Sequence, residues 1–134
     1  MSQENVEIVK RMLDAYNAGD IDTMLSFYST EIEARPDASV FPEAGPVHGL
    51  EEWRAWLEEA GSAWVTPQYG ISELFAVDDG RVVHRGKWGG EGATSGIALD
   101  SSITGIYTIR DDQISRVEFF FDHEQALEAV GLKE

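Results

Sequence analysis

Ala15-Tyr16-Asn17-Ala18-Gly19-Asp20-Ile21-Asp22 is the stretch that decides the fold, because it joins two helices through a tight turn. Before it, apolar residues recur at the spacing of a helix with one buried face, which predicts a helix from Gln3 to Ala18. Gly19 suits a left-handed C-cap, and Asp20 can accept the free amides of a second helix from Ile21 to about Tyr28. The stretch therefore predicts a helical hairpin.

The next elements alternate between a strand, a loop and a third helix. Glu31 to Arg35 is a short strand candidate, and Pro36 to Gly49 holds three of the four prolines, which is typical of a surface loop at the lip of a pocket. Leu50 to Ser62 is predicted to be helix 3, with one apolar stripe formed by Leu50, Trp53, Trp56, Leu57 and Ala60.

After Pro67 the pattern changes to period two, which predicts strands at about 68–77, 81–92, 97–110 and 113–122. Hairpin turns are expected at 78–80 and 110–113, and His123 to Val130 is predicted to be a short helix closed by Gly131. The chain is expected to form one α+β domain over residues 1–134. Its three N-terminal helices pack on a strongly curved mixed or antiparallel sheet around a largely apolar pocket.

Strand parity predicts which side chains face the helices. In the strand that begins at Arg81, the face with Arg85 and Lys87 would bury two cations, so the opposite face points inward. The same argument in the later strands gives an inward set of Val82, His84, Gly86, Trp88, Leu99, Ser101, Ile103, Gly105, Tyr107, Ile109, Val117, Phe119 and Phe121. Ile106 and Phe120 remain apolar on the outer face, which predicts a homodimer in which a second copy covers them.

Composition narrows the classes of partner. The 25 acidic and 10 basic residues give a formal net charge of -15, which disfavours nucleic acid and anionic membrane surfaces. No apolar segment is long enough to cross a bilayer and the N-terminus has no signal-like pattern, so we expect a cytoplasmic protein with no membrane contact. There are no cysteines, and the three histidines, His48, His84 and His123, are scattered, so neither a metal site nor a cofactor is expected.

This order of features resembles the nuclear transport factor 2-like superfamily, and most closely its SnoaL-like branch. The most specific pieces are the turn from Ala15 to Asp22 and the segment from Phe121 to Leu132. The resemblance implies a cone with a deep pocket, commonly dimeric through the outer sheet face. Its members include isomerases, polyketide cyclases, epoxide hydrolases, dehydratases and non-catalytic binders, so fold alone leaves the function open.

The catalytic residues of two branches of the superfamily are not retained. The positions that correspond to the acid–base set of ketosteroid isomerases hold Met12, Gly105 and Arg35. The positions that correspond to the Asp-Arg-Asp set of limonene-type epoxide hydrolases hold Trp88, Gly86 and Phe119. Neither charge relay can operate with these side chains, so both specific reactions are disfavoured.

Three groups of residues are candidates for chemistry or binding, each with a structural alternative. His84 is either a general acid or base on the inward face or a satisfied core histidine. Arg35 either holds an anionic ligand group or pairs with a surface carboxylate, and Asp37 and Glu43 either close over the opening or are solvated. The predicted ligand-binding residues are Met12, Tyr16, Arg35, Trp53, Trp56, Trp88, Ile103, Tyr107, Val117, Phe119 and Phe121.

The sequence thus predicts a protein that binds a small hydrophobic or aromatic molecule, with His84 as the candidate catalytic residue for isomerase-, cyclase- or dehydratase-type proton transfer. The alternative is a non-catalytic dimeric binding or assembly module whose cavity is filled by its own side chains. Clustered glycines at 86, 89, 90, 92 and 96 are expected to let a strand bend and its neighbour approach.

Overall fold

The computed structural model describes residues 2–36, 46–62, 68–91 and 98–121, together with 124, 126, 128 and 131. The helices in these residues are α1 (Ser2–Asn17), α2 (Ile21–Leu25) and α3 (Leu50–Gly61). The strands are β1 (Tyr28–Arg35), β2 (Val47–His48), β3 (Gln68–Ala76), β4 (Arg81–Glu91), β5 (Ala98–Arg110) and β6 (Gln113–Phe120). No helix in the described part of the chain is long and apolar enough to cross a membrane.

The strands form one curved, open sheet in the order β2-β1-β6-β5-β4-β3, with the three helices packed on it. Neighbouring strands are antiparallel except for β1 and β6, which run parallel. The α+β class and the curved mixed sheet are therefore as predicted.

The turn between α1 and α2 has the predicted geometry. Gly19 takes a φ of 78°, and the Asp20 carboxylate accepts the Thr23 amide at 3.1 Å as the N-cap of α2. Asn17 also holds the end of α1 against the sheet. Its side-chain amide donates to the Tyr69 carbonyl at 2.9 Å and accepts the Tyr69 amide at 2.7 Å. The turn thereby fixes the first helix over the start of β3.

The second helix is shorter than predicted and the first strand is longer. Helix α2 ends at Leu25, and Tyr28 begins β1 instead of ending the helix. Pairing with β6 explains the difference, because the Ile114 amide donates to the Phe27 carbonyl at 2.8 Å and Tyr28 opposes Ile114. Local periodicity cannot indicate this pairing, because β6 lies far away in the sequence.

The other boundaries agree within two residues. Within the predicted Pro36–Gly49 loop, Val47–His48 forms β2 and pairs with β1, while Asp37 and Glu43 lie outside the described residues. The predicted turn after β5 is confirmed, with positive φ at Asp111 and Asp112. Of the predicted C-terminal helix, positions 124, 126 and 128 are described and helical.

The sheet buries apolar residues on both faces. The inward set predicted from parity is buried where its burial is described, except for Phe121, which is half-buried. Its apolar members pack with α1, α2 and α3 in one core. On the outer face, Ile106 is only 3% exposed and packs with Val83 and with Ala126 of the C-terminal segment. The same chain therefore covers Ile106, and the predicted homodimer stays a prediction.

Candidate functional site

His84 lies on β4, the neighbour of the edge strand β3, and is fully buried. Its Nε2 is 3.0 Å from the Gly70 carbonyl oxygen, and since a carbonyl can only accept, Nε2 carries the proton. Burial lowers the pKa of His84, and the bond to Gly70 opposes that shift. Nδ1 has no hydrogen-bond partner among the described residues. His84 is therefore a neutral imidazole with one buried, unpaired acceptor.

Two glycines make this arrangement of His84 possible. The pairing of β3 with β4 shifts register between Ile71 and Glu73, and the Gly70 carbonyl comes close to Gly86. A Cβ on Gly86 would lie 1.9 Å from that oxygen and 3.2 Å from His84 Nε2. Only glycine leaves room for the carbonyl, as the glycine cluster in this strand predicted.

Six aromatic rings form a continuous series beside His84, which we call the aromatic row. The ring-centroid distances are 4.8 Å for Tyr16–Tyr69, 5.6 Å for Tyr69–Trp88, 6.2 Å for Trp88–Trp56, 5.5 Å for Trp56–Trp53 and 5.9 Å for Trp53–Phe119. Four of these five contacts are stacked. Tyr69 also meets the His84 imidazole edge-on at 5.8 Å. The row gives the interior a flat, polarisable surface suited to planar molecules.

All four tyrosines of the chain, Tyr16, Tyr28, Tyr69 and Tyr107, are buried. Burial raises the pKa of each one, so every phenol keeps its proton at neutral pH. The Tyr16 hydroxyl accepts the Trp88 indole N–H at 3.0 Å, and the Tyr28 hydroxyl contacts Met12 Sδ at 3.5 Å. The interior thus combines neutral hydroxyl groups with a neutral imidazole.

The indole nitrogen of Trp53, like Nδ1 of His84, is a buried polar atom without a hydrogen-bond partner among the described residues. The Trp53 N–H partly offsets the burial-driven rise in the pKa of Tyr28, yet the two groups stay outside hydrogen-bond geometry. Trp53 Nε1 therefore makes no hydrogen bond within the described part of the chain. It is a buried donor, whereas His84 Nδ1 is a buried acceptor.

The Tyr107 ring covers Gly105, the residue opposite His84 on the neighbouring strand. His84, Gly105 and Phe119 are directly opposed across β4, β5 and β6. Because Gly105 has no side chain, the Tyr107 ring can lean over its backbone. A Cβ on Gly105 would lie 2.9 Å from Tyr107 Cε2 and 3.0 Å from the Tyr107 hydroxyl oxygen. The hydroxyl therefore lies over the strand neighbour of His84.

The structure brings most predicted site residues together but not Arg35. The predicted residues in the core are Met12, Tyr16, Trp53, Trp88, Ile103, Tyr107, Val117 and Phe119, with Trp56 and Phe121 at its margin. Arg35 is exposed and pairs with Glu33, whose Oε2 lies 2.7 Å from Arg35 Nε. The alternating burial of β1 sends Ile32 and Ala34 inward and Arg35 away from them. A role for these side chains in ligand binding stays a prediction.

Sequence reasoning did not single out Tyr28, Tyr69 and the Gly70 carbonyl. Local periodicity predicts a helix at Tyr28, and it does not decide which face of β3 points inward. The signal was present at Tyr69, because an aromatic residue that alternates with exposed Gln68 and Gly70 is typical of an inward strand position. The Gly70 carbonyl depends on a bulge, which no local pattern indicates.

Two clefts open at the surface of the described residues. One of about 310 Å³ lies around Arg85 and Lys87 and includes the predicted residues Ile103 and Phe121. The other, of about 420 Å³, runs along α1 between Ile8 and Phe27. Across the described ranges, no three histidine, aspartate or glutamate side chains are grouped so that they could hold a metal ion.

Comparison with known proteins identifies the domain. Residues 9–117 match the family model described as the SnoaL-like domain. TerC, crystallised with polyporic acid, shares 19% identity with a TM-score of 0.77, over 95% of this chain and 98% of its own. An uncharacterised cystatin-fold protein from Novosphingobium aromaticivorans shares 28% identity with a TM-score of 0.71, over 90% and 98%.

A proposed SnoaL-like polyketide cyclase from Jannaschia sp. CCS1 shares 17% identity with a TM-score of 0.73, over 99% of this chain and 95% of its own. At this level of identity, the likeness to TerC and to the Jannaschia protein shows the fold alone. A search of curated proteins found no match.

Proposed function

Because the chain belongs to the family of SnoaL-like domains, we propose that it binds a small hydrophobic or aromatic molecule against the aromatic row. In this proposal His84 moves a proton on the bound molecule. The reaction class is that of an isomerase, cyclase or dehydratase, in which a base removes a proton next to a carbonyl. An acid then delivers a proton to another carbon in an isomerase, to the new alkoxide in a cyclase, or to the departing hydroxyl group in a dehydratase.

The observation that carries the proposal is the state of His84. An unpaired acceptor in a dry site costs stability, on the order of 1–3 kcal/mol, unless a ligand or water satisfies it. Here the acceptor is Nδ1 of a neutral imidazole, the form that takes up a proton. Buried groups of this kind beside an aromatic surface are typical of functional sites.

The fold neighbours give the proposal a chemical direction. TerC was crystallised with polyporic acid, and the Jannaschia protein is a proposed polyketide cyclase. Planar, oxygenated ring systems are therefore the first molecules to test. The aromatic row matches such molecules, because offset stacking between rings contributes beyond the area that it buries.

Two measurements test the proposal. Quenching of tryptophan fluorescence reports binding of polyporic acid, and NMR in D₂O reports exchange of the enolisable protons of 1-tetralone. We expect the protein to bind the quinone and to speed the exchange, and His84→Ala to reduce that acceleration by roughly 100-fold. His48→Ala is the matched control, since His48 is exposed on β2. If the acceleration of exchange persists in His84→Ala, His84 is not the residue that transfers the proton.

The second candidate is a non-catalytic dimeric module with a filled interior. It is favoured by the contacts within the aromatic row, where predicted wall residues such as Trp53, Trp56 and Trp88 stack on one another. Sedimentation velocity at micromolar concentration tests the dimer, and native mass spectrometry tests the filled interior. A monomer that copurifies with a small molecule would argue against this candidate, and an empty dimer would argue for it.

A further inference from the structure

We infer that the cleft around Arg85 and Lys87 binds a phosphate group, either free or carried by a small molecule. This site is separate from the aromatic row and takes a different class of ligand. The cleft has a volume of about 310 Å³. The described residues that line it are Ser72, Arg85, Gly86, Lys87, Ser102, Ile103, Thr104 and Phe121.

The charge of this lining is opposite to the charge of the chain. The chain has 25 acidic and 10 basic residues, yet the described lining holds two cations and no carboxylate. Arg85 and Lys87 are exposed on one face of β4, about 7 Å apart along the strand, whereas His84 and Trp88 between and beside them are buried. Two neighbouring cations favour a ligand group with a charge near -2.

Hydroxyl groups stand on both sides of the two cations. On β5, Ser102 opposes Lys87 and Thr104 opposes Arg85. On β3, the register shift makes Ser72 the extra residue of a bulge, and this residue lines the cleft. Three adjacent strands therefore supply hydrogen-bond donors to the same cleft.

This donor set suits a phosphate group better than a carboxylate. The Arg85 guanidinium can bind two oxygens as a fork, and the Lys87 ammonium adds a compact charge. A phosphate monoester has three strong acceptor oxygens and a charge of about -1.5 to -2 at neutral pH, whereas a carboxylate has two oxygens and a single charge. The cleft has roughly ten times the volume of one water molecule in the liquid, so a small organic part fits beside the phosphate.

Glu73 is the described carboxylate that competes for this site. Its Oε1 lies 3.2 Å from Arg85 Nη1, and the two side chains are 50% and 45% exposed. Ion pairs with this much exposure are weak, so a phosphate group can take the place of Glu73 on the guanidinium. Removal of the Glu73 charge should therefore strengthen phosphate binding.

Isothermal titration calorimetry tests the site with sn-glycerol 3-phosphate, inorganic phosphate, glycerate and glycerol. These probes have no aromatic ring, so stacking on the aromatic row does not contribute. The test variants are Arg85→Gln and Lys87→Gln, and the matched controls are Arg110→Gln and Lys10→Gln. All four variants remove one exposed cation and change the net charge from -15 to -16. Circular dichroism verifies that each variant folds.

We expect the wild-type chain to bind sn-glycerol 3-phosphate roughly tenfold more tightly than glycerate, with no measurable binding of glycerol. Arg85→Gln and Lys87→Gln should each weaken phosphate binding by roughly tenfold, and the two controls by less than about twofold. Glu73→Gln should strengthen it by roughly threefold. A higher affinity for the ester than for inorganic phosphate supports a phosphorylated small molecule, and the reverse supports free phosphate.

Three results would overturn the inference. One is equal weakening in the test and control variants, which would mean that the charge of the whole molecule decides binding. Another is equal affinity for glycerate and sn-glycerol 3-phosphate. The third is a dimer in sedimentation velocity that binds no phosphate, which would assign this face to a second copy of the chain. The proposed function stands or falls separately, because its tests use the quinone, the ketone and His84→Ala.

Discussion

His84 links the interior chemistry of this protein to its stability through one proton. The pKa of the folded imidazole is lowered by burial, whereas the unfolded side chain titrates near its ordinary value of about 6.5. Below that pH the unfolded chain binds a proton that the folded chain does not. The free energy of unfolding must therefore decrease as the pH falls below about 6.5.

The expected size of this effect is set by linkage. Between about pH 6 and pH 5, His84 should contribute a loss of up to about 1.4 kcal/mol per pH unit. The measurement is urea unfolding at several pH values. His84→Leu should lack this contribution, whereas His48→Ala should retain it because His48 is exposed. Equal slopes in wild type and His84→Leu would show that His84 titrates normally.

Residue-level prediction from the sequence succeeded where a side chain has one choice of face. Parity placed His84, Trp88 and Phe119 inward because the opposite choice would bury charges. It could not show that Nδ1 is unpaired or that the Tyr107 ring leans over Gly105, since these depend on rotamers and on the neighbouring strand. Arg35 illustrates the same limit, because the partner that decides its role is Glu33.

At the scale of elements, the β3–β4 pair depends on Gly86. Replacement by alanine puts a Cβ 1.9 Å from the Gly70 oxygen, and backbone cannot yield as a flexible side chain does. We expect Gly86→Ala to lower the free energy of unfolding by about 3 kcal/mol, at the upper end for overpacking. Urea unfolding measures it.

Gly80→Ala is the matched control for this change. A Cβ on Gly80 meets its nearest described atom, the Ile109 oxygen, at 3.7 Å, which is an ordinary contact. We expect this variant to differ from the wild type by less than about 0.5 kcal/mol. Similar losses in both variants would mean that the approach of Gly70 to Gly86 does not limit stability.

Elements were predictable where local chemistry decides and not where distant pairing decides. The turn at Gly19 and Asp20 follows from helix capping, and the hairpins follow from turn residues. The start of β1 at Tyr28, the short strand β2 and the parallel pairing of β1 with β6 arise from contacts between distant parts of the chain. Periodicity within one segment carries no information about them.

At the scale of the whole molecule, the outer sheet face changes the reasoning about assembly. Ile106 is buried by the chain itself, and Phe120 is half-buried in the same cluster. The homodimer stays a prediction, but its support now comes from the family resemblance more than from these two residues. Among the described residues, Ile71 on β3 is the large apolar side chain that is most open to solvent, at 39%.

Net charge determines how the whole molecule should respond to salt. The formal charge is -15, and the described ion pairs, such as Lys10–Asp14 and Arg85–Glu73, lie at the surface with both side chains substantially exposed. Exposed pairs contribute about 0–1 kcal/mol each, and salt weakens them. Salt also screens the repulsion among the excess carboxylates, which opposes the compact state. With 25 acidic against 10 basic residues, the repulsion should dominate.

We therefore expect the free energy of unfolding at pH 7.5 to rise by roughly 1 kcal/mol between low ionic strength and about 0.5 M NaCl. Urea unfolding at matched pH is the measurement. Glu58→Lys, on the exposed side of α3, changes the net charge from -15 to -13 and should reduce the salt response. Salt screens both the attraction within the ion pairs and the repulsion among the carboxylates. A decrease in stability with NaCl would therefore show that the ion pairs contribute more than the repulsion costs.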